Sequence, residues 1–307
     1  MDIFLQQLIN GLTLGSIYAL VALGYTMVYG ILGLINFAHG EVVMIGALTA
    51  LTVIKMLAAS GLPGPVVVLI GLLVAALVCM ALGFTIERIA YRPLRNAPRL
   101  APLITAIGVS IVLQQMAMLI WGRNYHSVPA LLPSGGHEVL GASITDLQLI
   151  IVAVAGITMA GLTLLVNRTR LGRAMRATAE NPAIAGLMGV DANRIIALTF
   201  VIGSALAALA GVLVSANYGI AHYNMGFILG LKAFTAAVLG GIGNLAGAMV
   251  GGVLLGVIEA LGAGYIGDLT GGALGSHYQD VFAFFVLIVV LIFRPSGLMG
   301  EKVAERA

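Results

Sequence analysis

RTRLGRAMRATAENPAIAGLMGVDANR, residues 168–194, is a polar, basic island with an apolar segment on either side long enough to span a bilayer. Such an island between two runs of roughly 20 apolar residues reads as a surface loop joining membrane helices. Within it, Asn181 suits an N-cap and Pro182 the first helical position, where the absent N–H is not needed and the fixed φ favours a helix start. The helix runs only to Met188, because Gly189 is suited to the left-handed C′ position, so its length is about 9 Å, under two turns. Ile184, Leu187 and Met188 fall on one face. Two turns do not hold in water alone, so this helix must pack against something. From the island alone, that something is either its own bilayer, with the helix as an interfacial elbow, or another surface that its apolar face meets.

Composition places the whole chain in the membrane class. It has 307 residues, 60% hydrophobic and only 9% charged, against roughly 25% charged in a soluble domain. The fold expected is all-α, a polytopic helical bundle forming one transmembrane domain over residues 1–307. Spans are expected near residues 12–34, 42–56, 66–86, 103–121, 147–166, 195–216, 245–261 and 281–293. A further segment, residues 230–243, is too short and glycine-broken for an ordinary span and resembles the discontinuous helices of transport pathways. The count is nine crossings if residues 241–244 turn on the cytoplasmic side, and eight or fewer if that segment is re-entrant. No basic residue precedes the first apolar run, so that run is expected to be retained rather than cleaved.

Orientation follows from the arginines and lysines, of which twelve of the fifteen fall on one side in this arrangement. They are Arg88, Arg92, Arg95 and Arg99, the five arginines of the island, and Arg294, Lys302 and Arg306 of a tail at residues 294–307. That side is cytoplasmic. The net charge of +3 therefore reflects membrane orientation and does not call for nucleic acid. Cys79, the only cysteine, reads as a small core residue. His126 and His137 lie in the loop after Trp121 without further ligands, so no metal site is expected.

Polar residues inside the apolar stretches mark candidate pathway positions. Asn36, His39 and Glu41 interrupt the first two spans as INFAHGE, residues 35–41, which fits either a tight turn or a broken helix. Lys232 and Thr235 lie in the glycine-rich seventh segment, and Glu259 near the outer end of the next. An ionised lysine facing lipid at mid-depth would cost about 2.5–3.5 kcal/mol, so Lys232 must face the interior or an interface, either lining the path or, on a purely structural reading, simply neutralised by Glu41 or a backbone carbonyl. There is no phosphate-binding loop, H-E-x-x-H, paired cysteines or G-x-S-x-G, so no catalytic residue is assigned and no cofactor is expected on this chain.

The island with its following span, together with INFAHGE, ERIAYRPLR at residues 87–95 and KAFTAAVLGGIGNLAGAMVGG at residues 232–252, resembles in order the permeases of branched-chain amino-acid ABC importers, the LivH type. The resemblance implies a permease subunit of the bacterial inner membrane that moves leucine, isoleucine and valine delivered by a periplasmic binding protein. It implies a homologous second permease subunit and two ATPase subunits, which hold ATP and Mg. It makes Asn181, Pro182, Ile184, Gly186, Leu187, Met188 and Gly189 the coupling helix that docks on those ATPases. Related systems carry other amino acids, urea or amides, or aromatic acids, so these stand as alternative cargoes. An ion-coupled secondary transporter or channel would instead show several acids or histidines deep in the spans. Only His39, Glu41, Lys232 and Glu259 qualify.

Overall fold

The computed structural model describes residues 2–95, 97–98, 100–133, 135–139, 141–271 and 278–300. Arg99, Lys302, Arg306 and the last half of the expected cytoplasmic tail, residues 301–307, lie outside them. Seven of the described helices are long and apolar enough to cross a membrane, and two shorter apolar helices accompany them. In chain order the helices are α1 (Asp2–Leu32), α2 (His39–Leu57), α3 (Gly64–Ile86), α4 (Leu100–Trp121), α5 (Asp146–Arg168), α6 (Arg170–Glu180), α7 (Pro182–Leu187), α8 (Ala192–Tyr218), α9 (Met225–Gly240), α10 (Leu245–Leu269) and α11 (Gln279–Phe293). After α3 the chain tightens through a π turn, Glu87–Tyr91, into a 3-10 turn, Arg92–Leu94. Among the described residues four short strands occur in the loops: β1 (His126–Ser127) pairs antiparallel with β4 (Ile220–Ala221), and β2 (Gly136–Val139) with β3 (Ala142–Thr145).

Two expectations need correction. The first helix begins at Asp2, nearly three turns ahead of the expected span, and ends at Leu32, where Gly33 turns left-handed. The seventh segment is shorter than the spans, as expected, but it is continuous as far as Gly240, in the helix Met225–Gly240. Its glycine break is confined to its end, at residues 241–244, where Gly241 and Gly243 both have positive φ.

The chain forms two compact units. One comprises Met27–Pro133 and Ala160–Leu231. Here α2, α3 and α8 pack on one another and α4 lies against α2. Helix α2 is buried along most of its length, whereas α3 and α4 expose Leu69, Leu73, Leu77, Ile104, Ile107 and Ile111. A helix that is apolar on its exposed face as well as its packed face is built to meet lipid.

The other unit comprises Met1–Thr26, Ser134–Met159 and Lys232–Ala307. Its centre is α10, which meets two neighbours along two rows of small residues. A Cβ on Gly251 would overlap the Ala236 carbonyl of α9, and one on Gly252 or Gly256 would overlap α1 backbone at Ala19 or Gly15. Without a hydrophobic driving force between helices in lipid, such close backbone approach supplies the packing energy. The carbonyls at the end of α9 are capped by the segment after α11: the N–H groups of Leu298 and Met299 donate to Leu239 and Gly240, each at 2.9 Å.

Candidate functional site

The short helix α7 forms where its cap residues predict. Asn181 is extended, and its side-chain oxygen accepts from the N–H groups of Ala183 at 3.0 Å and Ile184 at 3.1 Å. At the other end Gly189 has φ +85°. The Gly189 N–H donates to Gly186 and the Val190 N–H to Ala185, each at 3.0 Å, the paired bonds of a Schellman cap. Ala185 is the one buried residue of the helix. Ile184 is 58% exposed, Leu187 87% and Met188 81%, so the apolar face points away from the chain's own packing.

Directly before it lies a helix that the sequence reading passes over. Thr169 caps α6, accepting from the Gly172 N–H at 3.1 Å, and Asn181 closes it, so Asn181 ends α6 and begins α7. Gly172, Met175 and Thr178 form its buried stripe, and it packs on α7 and α8. Their spacing of three with a polar cap ahead of them was the available signal, masked by Arg170, Arg173 and Arg176.

INFAHGE forms an elbow between α1 and α2, and His39, Gly40 and Glu41 are the first residues of α2. Asn36 is held from elsewhere in the same unit: the Tyr91 hydroxyl donates to its Oδ1 at 3.1 Å, and the Tyr91 ring packs tilted against that of Phe200 of α8, with centroids 5.3 Å apart. Glu87 is buried and bound by Arg95, whose Nη1 donates to Asn193 Oδ1 at 2.6 Å. The ERIAYRPLR segment thus anchors both the elbow and the start of α8, a role its charges alone do not reveal.

His39 and Glu41 are also buried. The Ser110 hydroxyl of α4 donates to Glu41 Oε1 at 3.3 Å. Gly40 and Gly226 bring the first turns of α2 and α9 together, since a Cβ on Gly40 would overlap the Gly226 carbonyl, and one on Gly226 would lie 2.7 Å from Glu41 Oε2.

Lys232 lies in the other unit and its partners differ from those expected. Its Nζ is 2.7 Å from Glu259 Oε1 and 2.7 Å from Asp280 Oδ1, not beside Glu41 or a lone carbonyl. The Tyr18 hydroxyl donates to Glu259 Oε2 at 3.0 Å, and the lysine sits 5.8 Å from the Tyr18 ring centroid. Four helices, α1, α9, α10 and α11, therefore meet at one charged cluster, with Thr235 buried one turn further along α9. The five pathway candidates thus divide, Asn36, His39 and Glu41 belonging to one unit and Lys232 and Thr235 to the other. Among the described residues there is no cluster of three or more metal-ligating side chains.

This architecture has close relatives. A family model described as the permease component of the branched-chain amino acid transport system matches residues 7–291. The chain is 52% identical to the high-affinity branched-chain amino acid transport system permease protein BraD of Pseudomonas aeruginosa, over 99% of this chain and 98% of that one. It is 48% identical to the corresponding permease protein LivH of Escherichia coli, over 99% and 97%. The probable branched-chain amino acid transport permease LivH of Methanocaldococcus jannaschii is 27% identical over 93% and 89%. A match along nearly the whole length, to proteins of the same kind and size, makes this chain a member of the permease-component family of branched-chain amino acid transport systems.

Proposed function

We propose that this permease moves leucine, isoleucine and valine as the membrane subunit of an ATP-driven importer, and that α7 is the element through which partner ATPases act on it. The observation that carries the reading is an apolar face, Ile184, Leu187 and Met188, exposed on a helix rigidly capped at both ends. Helix α7 follows the arginine-rich α6, and the positive-inside rule assigns that side to the cytoplasm. A short exposed apolar face on a fixed helix fits a groove in a protein partner, with Ile184, Leu187 and Met188 as its anchors. The partners in this reading are two ATPase subunits that hold ATP and Mg, a homologous second permease subunit and a periplasmic binding protein that delivers the amino acid. The sequences most like this one are permeases of branched-chain amino acid systems along their full length, which supports the cargo.

Two measurements on the reconstituted assembly test the two halves. Uptake of a labelled panel should favour leucine, isoleucine and valine over other amino acids, urea and aromatic acids; preference for another member of the panel overturns the cargo. Leu187→Glu, which places a charge in the proposed groove, should weaken ATPase docking by about thirtyfold, the effect of losing an interface anchor worth about 2 kcal/mol. Wild-type ATPase stimulation and wild-type uptake in that variant would reduce α7 to an interfacial elbow.

A further inference from the structure

Glu41 is 1% exposed, and its Oε2 has no hydrogen-bond partner among the described residues. No lysine or arginine pairs with it there; its one partner is the Ser110 hydroxyl on Oε1. A buried carboxylate is ordinarily held by a cation or by several donors, because removing it from water costs far more than one hydroxyl contact returns. Its surroundings nonetheless suit a negative charge. Glu41 lies in the first turn of α2, and its free oxygen lies against Gly226 in the first turn of α9. Both helix N-termini carry partial positive charge. A Cβ on Gly226 would lie 2.5 Å from the Gly40 carbonyl and 2.7 Å from Oε2, so only glycine lets the backbone of α9 come this close to the unpartnered oxygen.

An acid kept buried, oriented through one oxygen and unmatched at the other is placed to take a partner from outside the chain. We propose that Glu41 Oε2 anchors the ammonium group of the amino acid in transit, so that the elbow and the first turns of α2 and α9 form a cation-recognising point inside the membrane. This rests on the reading of the chain as an amino-acid permease and adds the residue that recognises the class of cargo. Every α-amino acid carries that ammonium, so Glu41 selects amino acids as a class and leaves the side chain unread.

The test is uptake by the complete assembly in proteoliposomes with Glu41→Gln and Glu41→Asp. Glutamine keeps the length and can still accept from Ser110, but it cannot pair with an ammonium; aspartate keeps the charge and shortens the reach. The expected order is wild type, then Asp, then Gln, with Gln reduced about tenfold or more, the effect of losing a charged hydrogen bond. A glutamine variant as active as wild type, or more active than aspartate, makes Glu41 a packing group and overturns the proposal. If the Asp-over-Gln order holds but wild-type uptake requires sodium and stops in choline medium, the partner of Glu41 is an inorganic cation and the proposal is likewise overturned.

A measurement on the wild-type chain guards against misfolded variants. An apolar carbodiimide should modify Glu41, read by mass of its peptide, and saturating cargo should suppress that modification while leaving modification at Glu259 unchanged. Equal modification of Glu41 with and without cargo overturns the proposal. If the wild-type assembly moves an amino acid outside the branched-chain set, the cargo reading fails and the Asp-over-Gln order still supports Glu41. If it moves no α-amino acid at all, both fall.

Discussion

Two regions of this molecule reverse the ordinary rule that apolar groups are buried and charged groups exposed, and they do so with opposite consequences. The Lys232 cluster buries charge: the lysine side chain is 12% exposed and Glu259 1%. Helix α7 exposes hydrocarbon, with Leu187 and Met188 more than four-fifths open. The first reversal is balanced within the chain, since Glu259, Asp280 and Tyr18 surround the lysine. The second has no counterpart among the described residues. A buried ion cluster whose charges meet one another is an architectural fastening between helices, while a rigid apolar face with nothing against it is half of an interface. Damage to the first should therefore show in the chain itself, and damage to the second only when a partner is present.

The sharpest way to break this comparison is Lys232→Met. Removing one member of a buried ion cluster strands the others, typically at a cost of about 3–5 kcal/mol. The variant should lose yield and melt at lower temperature in nanodiscs, with uptake falling in consequence. Asp280 is partly exposed and can turn to water, so Glu259 is the stranded charge. A second substitution, Glu259→Leu, should restore most of the stability, because apolar replacement of a buried pair is often neutral. Were Lys232→Met to melt like wild type yet fail in uptake, the lysine would belong to the transport path and the distinction drawn here would collapse. Leu187→Glu is the matching probe of the other region: its melting temperature should equal that of wild type, and only docking and coupling should change.

Gly189→Val addresses the same helix through its backbone. A Cβ at this position meets nothing within 4 Å, so steric crowding plays no part, and the φ of +85° alone penalises the substitution. The expected cost is roughly 1–2 kcal/mol, spent on the turn that leads from α7 into Asp191 and α8. Asparagine tolerates the left-handed region better than any β-branched residue, so Gly189→Asn should retain more docking than Gly189→Val. Equal docking by both would mean that the turn adjusts freely and does not aim α7.

Much of this contrast is legible in the sequence. Hydropathy marks the spans, and Asn181-Pro182 with Gly189 marks both ends of α7, because caps act through neighbours a few residues away. What escapes is long-range. Glu259 and Asp280 are brought to Lys232 by helix packing, Ser110 reaches Glu41 from α4, and Tyr91 reaches Asn36 from the turn after α3. No local pattern carries those pairings. The glycines of the seventh segment read as breaks for a related reason: in water they weaken a helix, but in a packed bundle Gly230 lies where the first turn of α2 comes close, and α9 continues through it. Helix α6 was hidden by its arginines, whose density drew attention to charge and away from the Thr169 cap.

The smallest expected effect sharpens the comparison most finely, because it separates the position of α7 from its chemistry. Asn181 contributes no atom to the exposed apolar face; it fixes the junction, ending α6 through the bond from its N–H to Ala177 at 3.1 Å and beginning α7 through its side chain. Asn181→Ala removes the side-chain cap and should cost about 1 kcal/mol locally, which corresponds to about fivefold in any equilibrium that needs α7 ordered. Asn181→Ser and Asn181→Asp restore an accepting oxygen and should recover that loss. Docking of the ATPases should therefore follow the order Asn, Asp and Ser above Ala, with melting of the membrane helices unchanged in all four. If alanine docks as well as serine, the partner itself orders α7 on contact, and the exposed face is shaped by its interface rather than prepared for it.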